Sequence, residues 1–235
     1  MSGNLRNKSM GTPKNNRVIQ QAVVLCAVCL MLTGCKIERK SEQDKLKQVA
    51  AAGSNATSSF DAAAEVRGMW EPKVLPAINQ LAVDFRELKK AMDANLDAAG
   101  VKHGHREKGE GAPWNLAARI SGKIVDADTE VRAGTADIDV DGDGRADVQL
   151  QMGPIVKGTT LRDILPFVSF TSYTNQIDFA QLANALNDRA YESALKSVDR
   201  ANLKGKSVEV LGVFTTDNAS DVPLVTVTAF KVLGK

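Results

Sequence analysis

A group of aspartates near the middle of the 235-residue chain has the spacing of a calcium-binding loop. Calcium takes oxygen ligands at about 2.3–2.6 Å, and such loops supply them from positions 1, 3, 5, 7 and 9. Counted from the first aspartate, these positions hold Asp139, Asp141, Asp143, the carbonyl of Arg145, and Asp147. Position 12 is Leu150, so the bidentate glutamate of an EF-hand is missing. The spacing predicts a weak calcium site; the alternative is a solvated turn that uses Asp and Gly for backbone reasons.

The stretch Gly153–Asp163 is a second candidate site, because it places cations beside the predicted start of a helix. A threonine there can cap the helix, whose first N–H groups then face a ligand, and nearby cations favour an anionic or polar one. Amides at the start of the next helical stretch can add contacts. The candidate ligand-binding residues are Lys157, Thr159, Thr160, Arg162, Asn175 and Gln176. The alternative is ordinary capping with solvated charges.

Motifs for catalysis are missing from the sequence. It contains no Gly-x-Ser-x-Gly, no phosphate-binding glycine loop and no cysteine placed as a nucleophile. We therefore predict a binding protein rather than an enzyme. A carbohydrate-modifying enzyme that uses a pair of carboxylates stays open as an alternative, because separation in space cannot be read from spacing along the chain.

The aspartates lie in the turn of a predicted hairpin. Apolar residues alternate with polar ones on both sides of it, as in half-buried strands, and the glycines of Asp141–Gly144 allow the positive φ angles of a tight turn. Similar alternation predicts a first strand from Trp114, a second over 131–140 and a third over 147–152. In the second, the phase slips at Gly134-Thr135, which predicts a bulge.

Two more strands, Val208–Phe214 and Leu224–Val232, follow a mainly helical segment at Thr160–Asp199. In that segment one apolar stripe is predicted from Ile177, Ala180, Ala183, Leu186 and Ala190. The order of three strands, helix and two strands is that of an OB-fold, a five-stranded Greek-key barrel. We predict an α+β protein with an OB-like barrel at 114–235 and its helical insert between strands three and four. An open antiparallel sheet with the helix on one face is the alternative.

A helical segment is predicted to precede the barrel and to pack on it, within residues 60–113. Its apolar stripe consists of Leu81, Phe85, Leu88, Met92 and Leu96, spaced three or four residues apart. Gly100 is the predicted C-cap of this helix.

The amino terminus has the layout of a secretory signal. Met1–Arg17 is basic, and the apolar run Val18–Leu32 is shorter than the roughly 20 residues of a transmembrane helix. Leu32-Thr33-Gly34-Cys35 resembles a bacterial lipobox, which implies cleavage of residues 1–34 and lipid attachment at Cys35. Residues 35–59 then form a polar tether to the membrane. The alternative is an ordinary signal with an incidental cysteine.

Removal of the signal changes the charge and thiol content of the chain. The signal holds four of the 30 basic residues and no acid, so 26 basic and 28 acidic residues remain. This balance argues against a nucleic-acid partner. All three cysteines lie within the first 35 residues, so the mature body must be stable without disulfides.

Several short motifs, spread over nearly all of the mature chain, resemble one family. They are Phe60-Asp61-Ala62-Ala63, Trp70, Lys73-Val74-Leu75-Pro76, Pro113-Trp114-Asn115, Asp139-Val140-Asp141-Gly142-Asp143-Gly144, Gly153-Pro154-Ile155-Val156-Lys157-Gly158-Thr159 and Thr174-Asn175-Gln176. The family is that of predicted periplasmic lipoproteins of unknown function, whose genes often accompany sugar-uptake ABC transporters.

The resemblance implies an OB-like body, anchorage on the periplasmic face of a bacterial membrane, and a place in sugar transport. It brings no established activity and no catalytic residues. We therefore expect an adaptor that contacts transporter components or holds a small polar ligand. A purely structural envelope protein is a further alternative.

Overall fold

The computed structural model describes residues 60–106 and 111–234, which form helices and one mixed sheet. The helices are α1 (Ala62–Met69), α2 (Leu75–Leu81), α3 (Phe85–Ala94), α4 (Leu96–His103), α5 (Thr160–Asp163) and α6 (Gln176–Ala194), with a π-helical turn at Trp70–Val74 and a 3-10 turn at Phe170–Ser172. The strands are β1 (Val83–Asp84), β2 (Gly104–His105), β3 (Trp114–Asp128), β4 (Ala133–Asp139), β5 (Val148–Pro154), β6 (Ser207–Thr216) and β7 (Leu224–Leu233). Within these ranges no helix combines the length and the apolar character that crossing a membrane requires.

Strands β3 to β7 close into a barrel. Their order is β3-β4-β5-β7-β6, and β6 pairs back onto β3 along Trp114–Lys123. Strands β5 and β7 are parallel and pair only at Gln149–Gln151 with Leu224–Thr226. With α6 between the third and fourth barrel strands, this is the predicted OB-like fold, and the open-sheet alternative is wrong because β3 and β6 close the sheet.

The irregularity predicted at Gly134-Thr135 is present, but its extra residue lies in β5, because these two neighbours pair with Gly153 and Gln151 and leave Met152 without a partner in β4. In β4 itself the buried residues alternate without a slip. Further shifts occur in β3 between Ile124 and Asp126, and opposite Leu211 and Gly212 of β6, where the extra residue is Thr228 of β7. Such irregularities let long strands bend around a small barrel.

Two apolar clusters hold the described residues together. The first fills the barrel and reaches α3 and α4, and includes Phe85, Leu88, Met92, Leu150 and Phe214. The second lies between the helices and the outer side of β3 and β6, and includes Trp70, Ile78, Leu161, Leu186 and Val213. The predicted stripe of the amino-terminal helices therefore packs against the barrel through its three central members, which are all buried.

The role predicted for Gly100 is wrong. The helix breaks earlier, at Asn95, whose side chain accepts a hydrogen bond from the N–H of Ala98 at 2.9 Å and so caps α4. Gly100 lies inside α4 beneath the indole of Trp114, where an added Cβ would lie 2.5 Å from Cγ of that ring. Glycine is needed here for close approach and not for a positive φ angle.

The insert between β5 and β6 also differs from the prediction. It is interrupted between α5 and α6, and α6 ends at Ala194. Ile177 and Ala180 of the predicted stripe are exposed, whereas the polar residues Asp178 and Asn187 are buried. Asn187 donates from its amide to the carbonyl of Gly158 at 2.8 Å. The buried face of α6 is therefore rotated relative to the predicted stripe. It includes hydrogen-bonded polar side chains, which a search for apolar residues does not detect.

Candidate functional site

A cleft of about 580 Å³ opens where α5 and the start of α6 meet the first residues of β3 and the last of β6. Its volume lies within the range of small-molecule sites, about 300–1,000 Å³. The described residues that line it are Ala112, Pro113, Asn115, Thr159, Arg162, Asp163, Phe170, Gln176, Phe179 and Thr215. The lining thus mixes aromatic rings with convergent polar groups, as ligand sites commonly do.

A chain of side-chain hydrogen bonds fixes the amide of Asn115. Asn115 and Thr215 are register partners on β3 and β6, and the Thr215 hydroxyl donates to Oδ1 of Asn115 at 2.7 Å. A hydroxyl has one proton to give, so Thr160, whose Oγ1 lies 2.6 Å from that of Thr215, is the donor in their contact. Asn115 is 7% exposed, and its Nδ2 has no acceptor among the described residues. This buried amide therefore offers its N–H groups to the cleft.

Arg162 is held rigidly at the side of the cleft. Its Nε and Nη2 each lie 2.7 Å from Oδ1 of Asp163, and its Nη1 donates to the carbonyl of Phe179 at 3.1 Å. The guanidinium also stacks on the Phe179 ring, with Cζ 3.7 Å from the ring centroid. The other oxygen of Asp163 accepts from the Thr159 hydroxyl at 2.5 Å. The cation and the anion of the cleft thus neutralise each other.

Aromatic side chains continue from the cleft toward α1. Phe170 and Phe179 meet edge to face, with centroids 5.4 Å apart, and Tyr173 lies 5.4 Å from Phe179. Phe170 remains 42% exposed. The Tyr173 hydroxyl donates to Glu65 at 2.9 Å, and burial, together with that carboxylate, raises the pKa of Tyr173. The hydrogen bond from Tyr173 joins α1 to this group of rings.

The cleft includes half of the ligand-binding residues predicted from sequence. Thr159, Arg162 and Gln176 line it, and Thr160 contributes through Thr215. Lys157 is not among the lining residues. Its backbone exchanges hydrogen bonds with the amide of Gln151, at 2.8 Å through its N–H and 3.0 Å through its carbonyl.

The expected helix-start geometry is also wrong. Asn175 caps α6, because its Oδ1 accepts from the N–H groups of Ile177 and Asp178 at 2.8 and 2.9 Å. Thr159 makes no side-chain capping bond, and α5 is a single turn. A one-turn helix offers little dipole, so the start of α5 adds little to the binding of an anion.

Asn115, Thr215, Asp163 and the phenylalanines were missed as site residues. The phenylalanines left a signal in the sequence, since Phe167, Phe170, Tyr173 and Phe179 fall close together in a chain that is only 5% aromatic. Asn115 stands in the family motif Pro113-Trp114-Asn115, but nothing in the sequence joins it to Thr215, because the two are 100 residues apart and meet only through the pairing of β3 with β6.

The aspartate loop brings three of its four carboxylates together. Asp139, Asp141 and Asp147 each have an oxygen within 4.8 Å of the others. Asp143 is not part of this group. One of its oxygens accepts from the N–H of Arg145 at 2.7 Å, and the other lies 4.0 Å from Nε of Arg145. Asp143, predicted as the ligand at position 5 of the calcium loop, is therefore turned toward Arg145.

Hydrogen bonds to backbone N–H groups also hold this loop. Asp139 is buried and accepts from Gly142 and Gly144 at 2.6 and 2.9 Å, and Asp147 accepts from Val140 at 2.7 Å. Both glycines have positive φ angles of 89° and 87°, as predicted for the turn. The aspartates thus have a structural role in the hairpin whether or not a cation binds.

Comparison with known proteins agrees with the OB-like fold and with the family resemblance of the sequence motifs. A crystal structure of an OB-fold protein from Thermotoga maritima is similar to this chain, with a TM-score of 0.62 at 18% identity; the match covers 75% of this chain and 100% of that one. No curated protein matches the chain. A family model described as "Predicted periplasmic lipoprotein (DUF2291)" matches residues 25–231. The chain therefore belongs to this family of predicted periplasmic lipoproteins.

Proposed function

We propose that the protein is a binding module, anchored by lipid on the periplasmic face of the membrane, that holds a small polar ligand and serves a sugar-uptake ABC transporter. Family membership supports the periplasmic lipoprotein location. The lipidation site Cys35 lies outside the described residues. The observation that carries the binding role is the buried Asn115, whose amide nitrogen offers unpaired N–H groups to an open cleft. The nitrogen borders the cleft and has no acceptor among the described residues, so its N–H groups are open to a ligand oxygen.

Binding explains the cleft better than catalysis does. Glycoside hydrolysis generally uses two carboxyl groups placed about 5–9.5 Å apart across the scissile bond. Among the described lining residues Asp163 is the one carboxylate, and it is already bonded to Arg162 and Thr159. A purely structural envelope protein, in turn, gives no reason for a ligand-sized cleft with a free amide. The transporter context rests on the family resemblance of the sequence.

The partner part of this proposal can be tested in intact membranes. The tagged full-length chain, crosslinked in its own bacterium, should recover the permease or the soluble binding protein of a sugar transporter. An unrelated tagged lipoprotein of the same membrane serves as the control. The variant Cys35→Ser should accumulate as a longer precursor, because signal cleavage follows lipid attachment. If the wild-type chain is processed normally but crosslinks to no component of a sugar transporter, the accessory role is contradicted.

We propose, second, that the aspartate loop binds calcium weakly. The supporting observation is the convergence of Asp139, Asp141 and Asp147 within 4.8 Å. Three carboxylates this close repel one another unless a cation or solvent screens them. Sites of this kind outside the cytoplasm have dissociation constants of about 10⁻⁴–10⁻³ M.

Calcium should therefore raise the melting temperature of the protein slightly. At ten times the dissociation constant the gain is about 1.4 kcal/mol, or a few degrees for a domain of this size. Magnesium should do less, because it keeps its water. Asp141→Asn should abolish the calcium effect, whereas Asp143→Asn, which changes the carboxylate beside Arg145, should keep most of it. Identical melting temperatures with calcium, magnesium and chelator would contradict the calcium site and indicate that the loop is a turn without a metal.

A further inference from the structure

We infer that the cleft between α5, α6 and the barrel selects a neutral, hydroxyl-rich ring molecule, a sugar rather than a sugar acid or sugar phosphate. The inference rests on the proposed binding function and adds the chemical class of the ligand. Three features of the cleft carry it: its charge balance, its hydrogen-bonding groups and its exposed aromatic ring.

The charge of the cleft is balanced. Its described lining contains one cation, Arg162, and one anion, Asp163, and these are bonded to each other. The side chains are only 12% and 21% exposed, so little water screens them. An incoming anion would face the Asp163 carboxylate at close range, and that carboxylate already offsets the charge of the guanidinium. A neutral ligand disturbs neither group.

The hydrogen-bonding groups suit hydroxyls, which both donate and accept. Asn115 offers N–H donors through its unpaired Nδ2. Gln176, on the exposed first turn of α6, offers a donor and an acceptor. On Arg162, Nη1 and Nη2 each carry a second N–H beyond the bonds to Phe179 and Asp163. A hydroxyl can accept from these N–H groups and also donate to Oε1 of Gln176, whereas an ionised carboxyl group in the same place only accepts.

Phe170 supplies an apolar surface beside these polar groups. Its ring is 42% exposed and is held edge to face by Phe179, which is itself covered by Arg162. A fixed, half-exposed ring can pack against the C–H face of a sugar, while the hydroxyls at the ring edge reach the amides. The combination of aromatic surface with neutral polar groups is what distinguishes a sugar site from an anion site.

Calorimetry on the mature, full-length lipoprotein can test this, in a detergent without a sugar headgroup. The probes are neutral pentoses, hexoses and disaccharides, each compared with its uronic acid or phosphate. We expect neutral sugars to bind at least tenfold more tightly than their charged counterparts. Their affinity should change less than about twofold between 0.05 and 0.5 M NaCl, because salt screens only charged partners.

Two phenylalanines provide a matched pair of variants. Phe170→Ala should weaken sugar binding about tenfold, since a ring contact contributes roughly that much. Phe167→Ala removes a side chain of nearly equal exposure, 43%, that is not among the lining residues, and should leave affinity unchanged. Both positions are exposed enough for the variants to fold. Gln176→Ala, which removes another lining side chain, should give an independent loss of affinity.

The possible outcomes separate the ligand class from the binding function. Tighter, salt-dependent binding of the sugar acids or phosphates would overturn the neutral-sugar inference and leave the binding role intact. Sugar binding that Phe170→Ala and Phe167→Ala weaken equally would place the ligand elsewhere and overturn the assignment of the cleft. No binding by either kind of sugar would overturn the inference and the small-ligand role together.

Discussion

Val210→Asp should leave the protein largely unfolded at room temperature. Val210 is 4% exposed, faces the barrel interior from β6, and pairs with Ile120 of β3 and Phe230 of β7. Aspartate is similar in size but brings a charge into a site without a partner, which costs several kcal/mol even if the carboxyl takes up a proton. That is much of the 5–15 kcal/mol by which domains are usually stable.

Circular dichroism of the purified variant, with urea titration, measures this effect. Val131→Asp is the matched control, because Val131 is 51% exposed in the turn between β3 and β4. The control should change the free energy of unfolding by less than about 0.5 kcal/mol, as is usual for surface positions. A folded Val210→Asp with an unchanged urea midpoint would mean that β6 does not line the barrel interior.

Gly122→Ala should lower the free energy of unfolding by about 3 kcal/mol, at the upper end of what overpacking costs. Gly122 lies in β3 where β4 begins to pair with it, and an added Cβ would lie 2.6 Å from Cγ2 of Ile138 and closer still to the carbonyl oxygen of Asp139. A backbone atom cannot swing aside as a flexible side chain can. The strain would therefore shift Asp139, whose carboxylate holds the aspartate loop.

Gly68→Ala makes the same chemical change without the clash. Gly68 lies in α1, and an added Cβ there would have no neighbour within 4 Å. Alanine favours helix over glycine by up to about 1 kcal/mol, so this variant should be slightly more stable than the wild type. Urea titrations should show a lower free energy of unfolding than the wild type for Gly122→Ala and a slightly higher one for Gly68→Ala. Equal, small effects would show that β3 and β4 separate more easily than their packing implies.

The barrel strands could be predicted because each has one face in an apolar interior. Ile138, Val148 and Leu150 are fully buried and recur with the period of a strand. The pattern at Gly134-Thr135 indicated the place of the register shift but assigned it to the wrong strand, because the inserted residue is Met152 of β5. Each strand could be recognised from the alternation of its own residues. The fold class then followed from the order of the strands and the helix.

The cleft could be predicted only in part because its members come from distant segments. Arg162 and Gln176 belong to helix starts, which leave a mark in the sequence. Asn115 and Thr215 come from opposite ends of β3 and β6 and meet only through strand pairing. Gly100 shows a related difficulty: its contact with Trp114 is long-range, so the glycine resembles a helix end when it is read locally.

The three-residue contact between β5 and β7 makes one seam of the barrel much weaker than the others. The β3–β6 seam runs over the whole of Trp114–Lys123, whereas the parallel seam joins Leu150 to Val225 with only one residue pair on either side. Closing it requires two segments about 75 residues apart to meet in return for only three residue pairs, so it should form late in folding. In the native state, sub-global opening should begin at this seam. The pairing of β5 with β7 would then break, and the barrel would open to a curled sheet while β3, β4 and β6 keep their other pairings.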